Sequence, residues 1–133
     1  MLHHVSLGTT DIERAKAFYD AVLPTLGCGE RYDVEFPDTG LIAMGYGQTR
    51  DRPQFWIQYP ADRQSAGPGN GSHVALSAGT RRDVDAFYRA AIDAGATCAG
   101  EPGPRPHYTP DYYGAFVRDP DGHKIEACCY NAG

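Results

Sequence analysis

A chain of 133 residues, 41% hydrophobic and with a formal net charge of -5, is long enough for one domain with a core around a small pocket and too short for two. No Lys/Arg cluster offers a footprint for a run of phosphates, which argues against a nucleic-acid partner. The opening MLHHVSLGTT lacks the basic-then-apolar pattern and cleavage site of a signal peptide, and no window approaches the roughly 20 apolar residues of a membrane span, so a soluble, cytoplasmic protein without a membrane partner is expected.

The first segment, HHVSL at residues 3–7, alternates as a half-buried strand does, with His3 and His4 on opposite faces. Thr10 with Glu13 makes a capping box, and Ile12, Ala15, Phe18, Tyr19 and Val22 fall on one helical stripe behind it. Pro24 ends or kinks that helix, and Gly27 and Gly29 let the chain turn. RYDVEF (31–36), LIAMGY (41–46) and QFWIQY (54–59) then read as strands. The Gly/Pro-rich PADRQSAGPGNGS (60–72) is a solvated connector. HVAL (73–76) opens a second unit. Thr80 caps a helix whose buried stripe is Val84, Phe87, Tyr88, Ala91 and Ile92, and Gly95 stops it. ATCA (96–99), a loop GEPGPRPHYTP (100–110) stiffened by its prolines, YYGAFVRD (112–119) and HKIEACCY (123–130) complete the chain.

Two parts of the chain repeat. HVSL at 4–7 matches HVAL at 73–76 and AFYDA at 17–21 matches AFYRA at 86–90, both at one offset. The order of elements is therefore a tandem βαβββ pattern of α+β class: modules at about 1–60 and 72–133, joined by the connector 60–72, within a single domain 1–133.

The repeat singles out His4 and His73. If the halves are related by an approximate two-fold, these imidazoles project from matching strands into shared space. A lone strand histidine is ordinarily a hydrogen-bonded structural residue; a repeat-matched pair argues instead for ligands. The turn Asp119-Pro120-Asp121-Gly122 fixes the phase of the last strand, so that Lys124, Glu126 and Cys128 share one face opposite Ile125, Ala127 and Cys129. An isolated strand glutamate is ordinarily a surface acid. With two imidazoles it completes a nitrogen–oxygen set that holds a divalent ion and leaves positions open for substrate. Cys28, Cys98, Cys128 and Cys129 form no CxxC pair and are read as reduced, mostly buried small residues.

Three segments, HHVSLGTTDIERAKAFYDAVL at the start, GSHVALSA in the middle and YYGAFVRDPDGHKIEA at the end, resemble the vicinal oxygen chelate superfamily of glyoxalase I, fosfomycin-resistance thiol transferases, extradiol dioxygenases and bleomycin-resistance proteins. The resemblance implies a partly open, cupped mixed sheet around a central cavity with helices outside, a divalent metal (Zn, Ni, Mn or Fe(II)) on His4, His73 and Glu126, and a homodimer. Members with four protein ligands take another from the last strand of the first half, here QFWIQYP. One register offers the Gln58 amide; a shift of one or two residues puts Trp56 there and leaves three protein ligands. SLGTT after His4 also lacks the basic residue that engages glutathione in lactoylglutathione lyases, so that activity is not assigned.

His107 and Tyr108, on the proline-braced loop, and Tyr113 are the candidate acid/base and hydrogen-bond donors; rim packing is the bland alternative. Trp56, Phe55 and Tyr46 are candidate pocket residues, although a strand aromatic is more often core. The function this implies is a metal-dependent isomerase or lyase acting on a small oxygenated molecule that chelates the ion, its developing negative charge stabilised by the metal. The alternatives are an extradiol dioxygenase, which suits the three-ligand register, and a metal-free antibiotic-binding resistance protein, which the retained triad disfavours.

Overall fold

The computed structural model describes residues 1–132. Strand β1 (Val5–Gly8) leads into α1 (Ile12–Val22) and a short 3₁₀ turn, Leu23–Leu26, then β2 (Glu30–Glu35), β3 (Ile42–Gly47) and β4 (Phe55–Gln58). The second half repeats this order with β5 (His73–Ser77), α2 (Arg81–Asp93), β6 (Thr97–Pro104), β7 (Tyr113–Arg118) and β8 (Lys124–Cys129). The tandem α+β pattern is as the sequence predicts, and the strands form two open four-stranded sheets ordered β1-β4-β3-β2 and β5-β8-β7-β6. In each sheet the opening strand pairs in parallel with the last strand of its module, and the other pairings are antiparallel.

The α1 stripe is buried as its spacing predicts, and the α2 stripe in part, with Tyr88 only half-buried. Ile12, Ala15, Phe18, Tyr19 and Val22 are all buried along α1. On α2, Val84, Phe87 and Ala91 are buried, while Ile92 lies at the stripe's margin and stays 36% exposed. The α1 residues, with Phe87 and Ala91 of α2, join Met44, Phe55 and Ile57 of the first half and Val117, Ile125 and Ala127 of the second in one continuous cluster, while Val84 packs in a smaller one with Ala78, Ala115 and Cys129. Each large side chain buried there contributes about 1.5–3 kcal/mol. The sheets thus share one core on their helix-covered faces, and their opposite faces point away from it.

Three local expectations change. The cap of α1 is Asp11, which accepts from the Arg14 N–H at 3.0 Å, because Thr9 and Thr10 are drawn to a distant acceptor, Asp121. Thr80 caps α2 as expected, accepting from the Asp83 N–H at 3.1 Å. The segment 100–104, read as loop, extends β6 through register shifts; Pro102 and Pro104 are tolerated because β6 is an edge strand. All four cysteines are free, but only Cys129 is buried, Cys28 and Cys128 being half-buried and Cys98 exposed.

The DPDG turn joins the halves. Asp119, buried, accepts from the Tyr19 hydroxyl of α1 at 2.5 Å and from the N–H groups of Asp121 and His123 at 3.0 and 2.8 Å. Asp121 accepts from the Thr9 hydroxyl (2.6 Å), the Thr10 N–H (3.0 Å) and hydroxyl (3.1 Å), and Arg14 (2.9 Å). His123 Nε2 meets the Gly8 carbonyl at 2.7 Å. Gly122 closes the turn at φ 90°, a conformation that side chains with a Cβ rarely adopt.

Candidate metal-binding site

The register of β5 against β8 pairs His73 with Lys124 and Ala75 with Glu126, so these residues lie on one face, the one pointing away from the shared core. Glu126 is only 2% exposed. Its Oε1 lies 3.0 Å from His73 Nε2, and its Oε2 accepts from the Tyr112 hydroxyl. Room for that contact comes from Gly114: a Cβ there would stand 3.1 Å from Glu126 Oε2 and 3.2 Å from Tyr112 Cε1. Burial, followed by the neighbouring Cys128 thiol and Glu126 carboxylate, pushes the Tyr112 phenol well above its ordinary range and keeps it a donor.

Among the described residues Glu126 forms no ion pair with a Lys or Arg, and a buried carboxylate without such a partner suits a cation. A His nitrogen and a Glu oxygen about 3 Å apart have the spacing of two donors sharing one ion at roughly 2.0–2.2 Å. The pair therefore fits a divalent metal chemically and in separation. Among the described residues no group of three or more His, Cys, Asp and Glu converges on one point. His4 is not with the pair: its ring bonds His3 at 2.7 Å, and it opens on a different cleft, of about 520 Å³, with Arg52 and Trp56. Within a single chain, then, the two imidazoles of the matching strands do not meet in one space. The two halves share their helix-covered faces, which turns both histidine faces outward.

The strand registers also locate Trp56 and Gln58 relative to Glu126. Glu126 pairs with the residue two past His73; the residue two past His4 is Ser6, and Ser6 pairs with Trp56. Trp56 thus occupies the place in the first half that Glu126 holds in the second. Gln58 pairs with Gly8, one step further along the same face.

Other predicted site residues are redistributed by strand alternation. Phe55 and Tyr46 are corrected from pocket to core: both are buried on the helix side, and the Tyr46 hydroxyl donates to Asp20 of α1 at 3.0 Å. Tyr113 is likewise corrected, because its hydroxyl donates to Asp85 of α2 at 2.7 Å, away from Glu126. His107 and Tyr108 are exposed and reach the site through tilted and edge-on ring contacts. Ring centroids run His107 to Tyr108 at 4.4 Å, Tyr108 to Tyr112 at 5.0 Å, and Tyr112 to Tyr130 at 5.5 Å. Tyr112 is the residue the sequence reading missed. Carrying the alternation of Glu126 across the β7–β8 hairpin, through its partner Phe116 and on to Gly114, would have selected it over Tyr113.

The sequence model of the Glyoxalase/Bleomycin resistance protein/Dioxygenase superfamily matches residues 1–127. The chain belongs to this superfamily. A Synechocystis sp. protein described as a probable lactoylglutathione lyase is 29% identical over 127 residues, covering 94% of this chain and 92% of that protein. A glyoxalase/bleomycin resistance protein from Albidiferax ferrireducens T118 superposes with a TM-score of 0.78 at 38% identity, covering 95% of both chains. A V278E mutant of Zea mays glyoxalase I shares the fold, with a TM-score of 0.73 at 23% identity over 96% of this chain and 45% of the maize chain. Superfamily members typically bind divalent metals. No helix among the described residues is long and apolar enough to cross a membrane.

Proposed function

We propose that this chain is a metal-dependent enzyme of the glyoxalase-like superfamily, of isomerase or lyase type, acting on a small oxygenated substrate that chelates a divalent ion. The observation that carries it is the His73–Glu126 pair, 3.0 Å apart on a buried carboxylate that Tyr112 orients. His73 and Glu126 would hold the ion in one copy. His4, on the outward face of the first half, would join them from a second copy in a homodimer, since the two histidine faces of one chain open on separate clefts. A bound divalent ion supplies Lewis acidity toward the substrate oxygens where negative charge develops. The chain's own residues would fix the carboxylate through Tyr112 and keep water from it by burial. Tyr108 is 53% exposed and, with His107, leaves polar groups at the mouth for substrate contact and proton transfer.

The register that makes Trp56 the first-half counterpart of Glu126 favours three protein ligands. It supports an extradiol-type dioxygenase as the second reading. Oxygen uptake with catechols under Fe(II) or Mn(II) separates the two. The decisive experiment measures metal content and sedimentation of the wild type, His4→Ala, His73→Ala and Glu126→Gln after metal loading. The reading expects a metal-bearing dimer that each variant depletes of metal. Equal metal content in all four proteins would sink it.

A further inference from the structure

A cleft of about 400 Å³ opens between the free edges of β1 and β5, beside the Gly/Pro-rich connector. Ser6 and Gly8 line it from β1, Ser72 and His73 from the start of β5, and His123 and Lys124 from the hairpin. The chain carries 17 Asp and Glu residues, yet no carboxylate lines this cleft. Its titratable lining groups are Lys124 and two histidines, and His123 is already spent on the Gly8 carbonyl at 2.7 Å.

Lys124 is half-buried, with Nζ 5.0 Å from the Phe116 ring centroid, and among the described residues it joins no ion pair. An ammonium partly withdrawn from water and lacking an acid partner is a ready site for an anion. The free strand edges and the Ser6 and Ser72 hydroxyls add hydrogen-bonding groups around it. His73 belongs both to this cleft and to the Glu126 pair. Lys124 and Glu126 are two residues apart on one strand face, roughly 6–7 Å between their Cα atoms. An occupant of the cleft is therefore within a few bonds of the chelating pair.

We infer that this cleft binds the anionic end, a carboxylate or a phosphate-type oxyanion, of the molecule whose other oxygens reach His73 and Glu126, with Lys124 selecting for the charge. The inference names the substrate class of the proposed site and rests on that reading. Its test uses free anions and needs no metal.

Inorganic phosphate and, separately, acetate are titrated calorimetrically into the full-length protein without added metal, for wild type, Lys124→Gln and Lys124→Arg. Saturable binding of at least one anion is expected, weakened roughly tenfold or more in Lys124→Gln, the loss of one charge-assisted hydrogen bond, and recovered in Lys124→Arg. Which anion binds more tightly separates carboxylate from phosphate. Thermal melts confirm that the variants are folded, and a Ni²⁺ titration on the same samples reports on the metal reading separately. Failure of both anions to saturate the wild type, or equal affinity in Lys124→Gln, overturns the inference whatever the Ni²⁺ result.

Discussion

Replacing Asp119 by Ala tests whether the DPDG turn holds the two halves together. In the wild type its buried carboxylate satisfies the hydroxyl of Tyr19, a residue only 1% exposed, and the N–H groups of Asp121 and His123. Removing it leaves the Tyr19 hydroxyl without an acceptor in the core, at about 1–3 kcal/mol, and loosens two backbone donors at about 1 kcal/mol each. Against this, burial holds the Asp119 carboxyl above the ordinary carboxylate range, so deleting it also relieves a desolvated charge. The balance is a loss of about 2–4 kcal/mol, or roughly 6–16 °C in Tm for a chain of this size. Urea unfolding followed by circular dichroism, with a double-mutant cycle against Tyr19→Phe, measures it. Removing the orphaned hydroxyl should restore part of the loss, so Tyr19→Phe costs less in the Asp119→Ala background than alone. A loss below about 0.5 kcal/mol, or strictly additive single changes, would refute the clamp.

At Asp121 burial alone would raise the carboxyl pKa, but hydrogen bonds from Thr9 and Thr10 and the Arg14 guanidinium outweigh it and hold the pKa below the ordinary value. The stabilisation is therefore present above about pH 3.9, where the unfolded carboxyl ionises, and is lost as pH falls through the lower folded value. The stability gap between wild type and Asp121→Asn should narrow across that acid window. Burial, then Asp119 for Tyr19 and Asp20 for Tyr46, raises both phenols above their ordinary range. Above about pH 10 the unfolded chain releases protons that the fold retains, so stability falls with rising pH. Tyrosinate absorbance from these two should accordingly appear only with loss of the near-ultraviolet dichroism. Tyr112→Phe frees Glu126 Oε2 from its donor and should weaken Ni²⁺ binding about 10–100-fold by calorimetry. Gly114→Ala, whose methyl would crowd the same oxygen, should weaken it in the same direction.

What could be read from the chain was set by local periodicity. The helical stripes and the phase that puts Lys124, Glu126 and Cys128 on one face depend only on neighbours along the sequence, and both appear in the fold. Phe55 and Trp56 show where the reading was too loose, since adjacent strand residues cannot line one cavity; Phe55 went to the core and Trp56 to the outer face. Tyr112 and Tyr113 repeat that lesson across the hairpin. The α1 cap and the separation of His4 from His73 are of another kind. Asp121 reaches Thr9 and Thr10 from more than a hundred residues away, and the facing of the two halves is set by long-range packing in the shared core. No spacing rule in one half contains that information.

The turn that aims Glu126 is also the piece that fastens the second half to the first. Asp119 and Asp121 grip Tyr19, Thr9, Thr10 and Arg14, and His123 takes the end of β1, immediately before Lys124 and Glu126 leave along β8. Slippage of those contacts would shift β8 relative to β1 and change the width of the cleft that Lys124 and His73 line. The sheet on which the candidate ligands stand is thereby referenced to the other module by polar contacts that touch neither ligand. The acid-rich DPDG sequence is explained by two demands on the same four residues: a tight return into β8 and a set of acceptors for a module that lies far away in sequence.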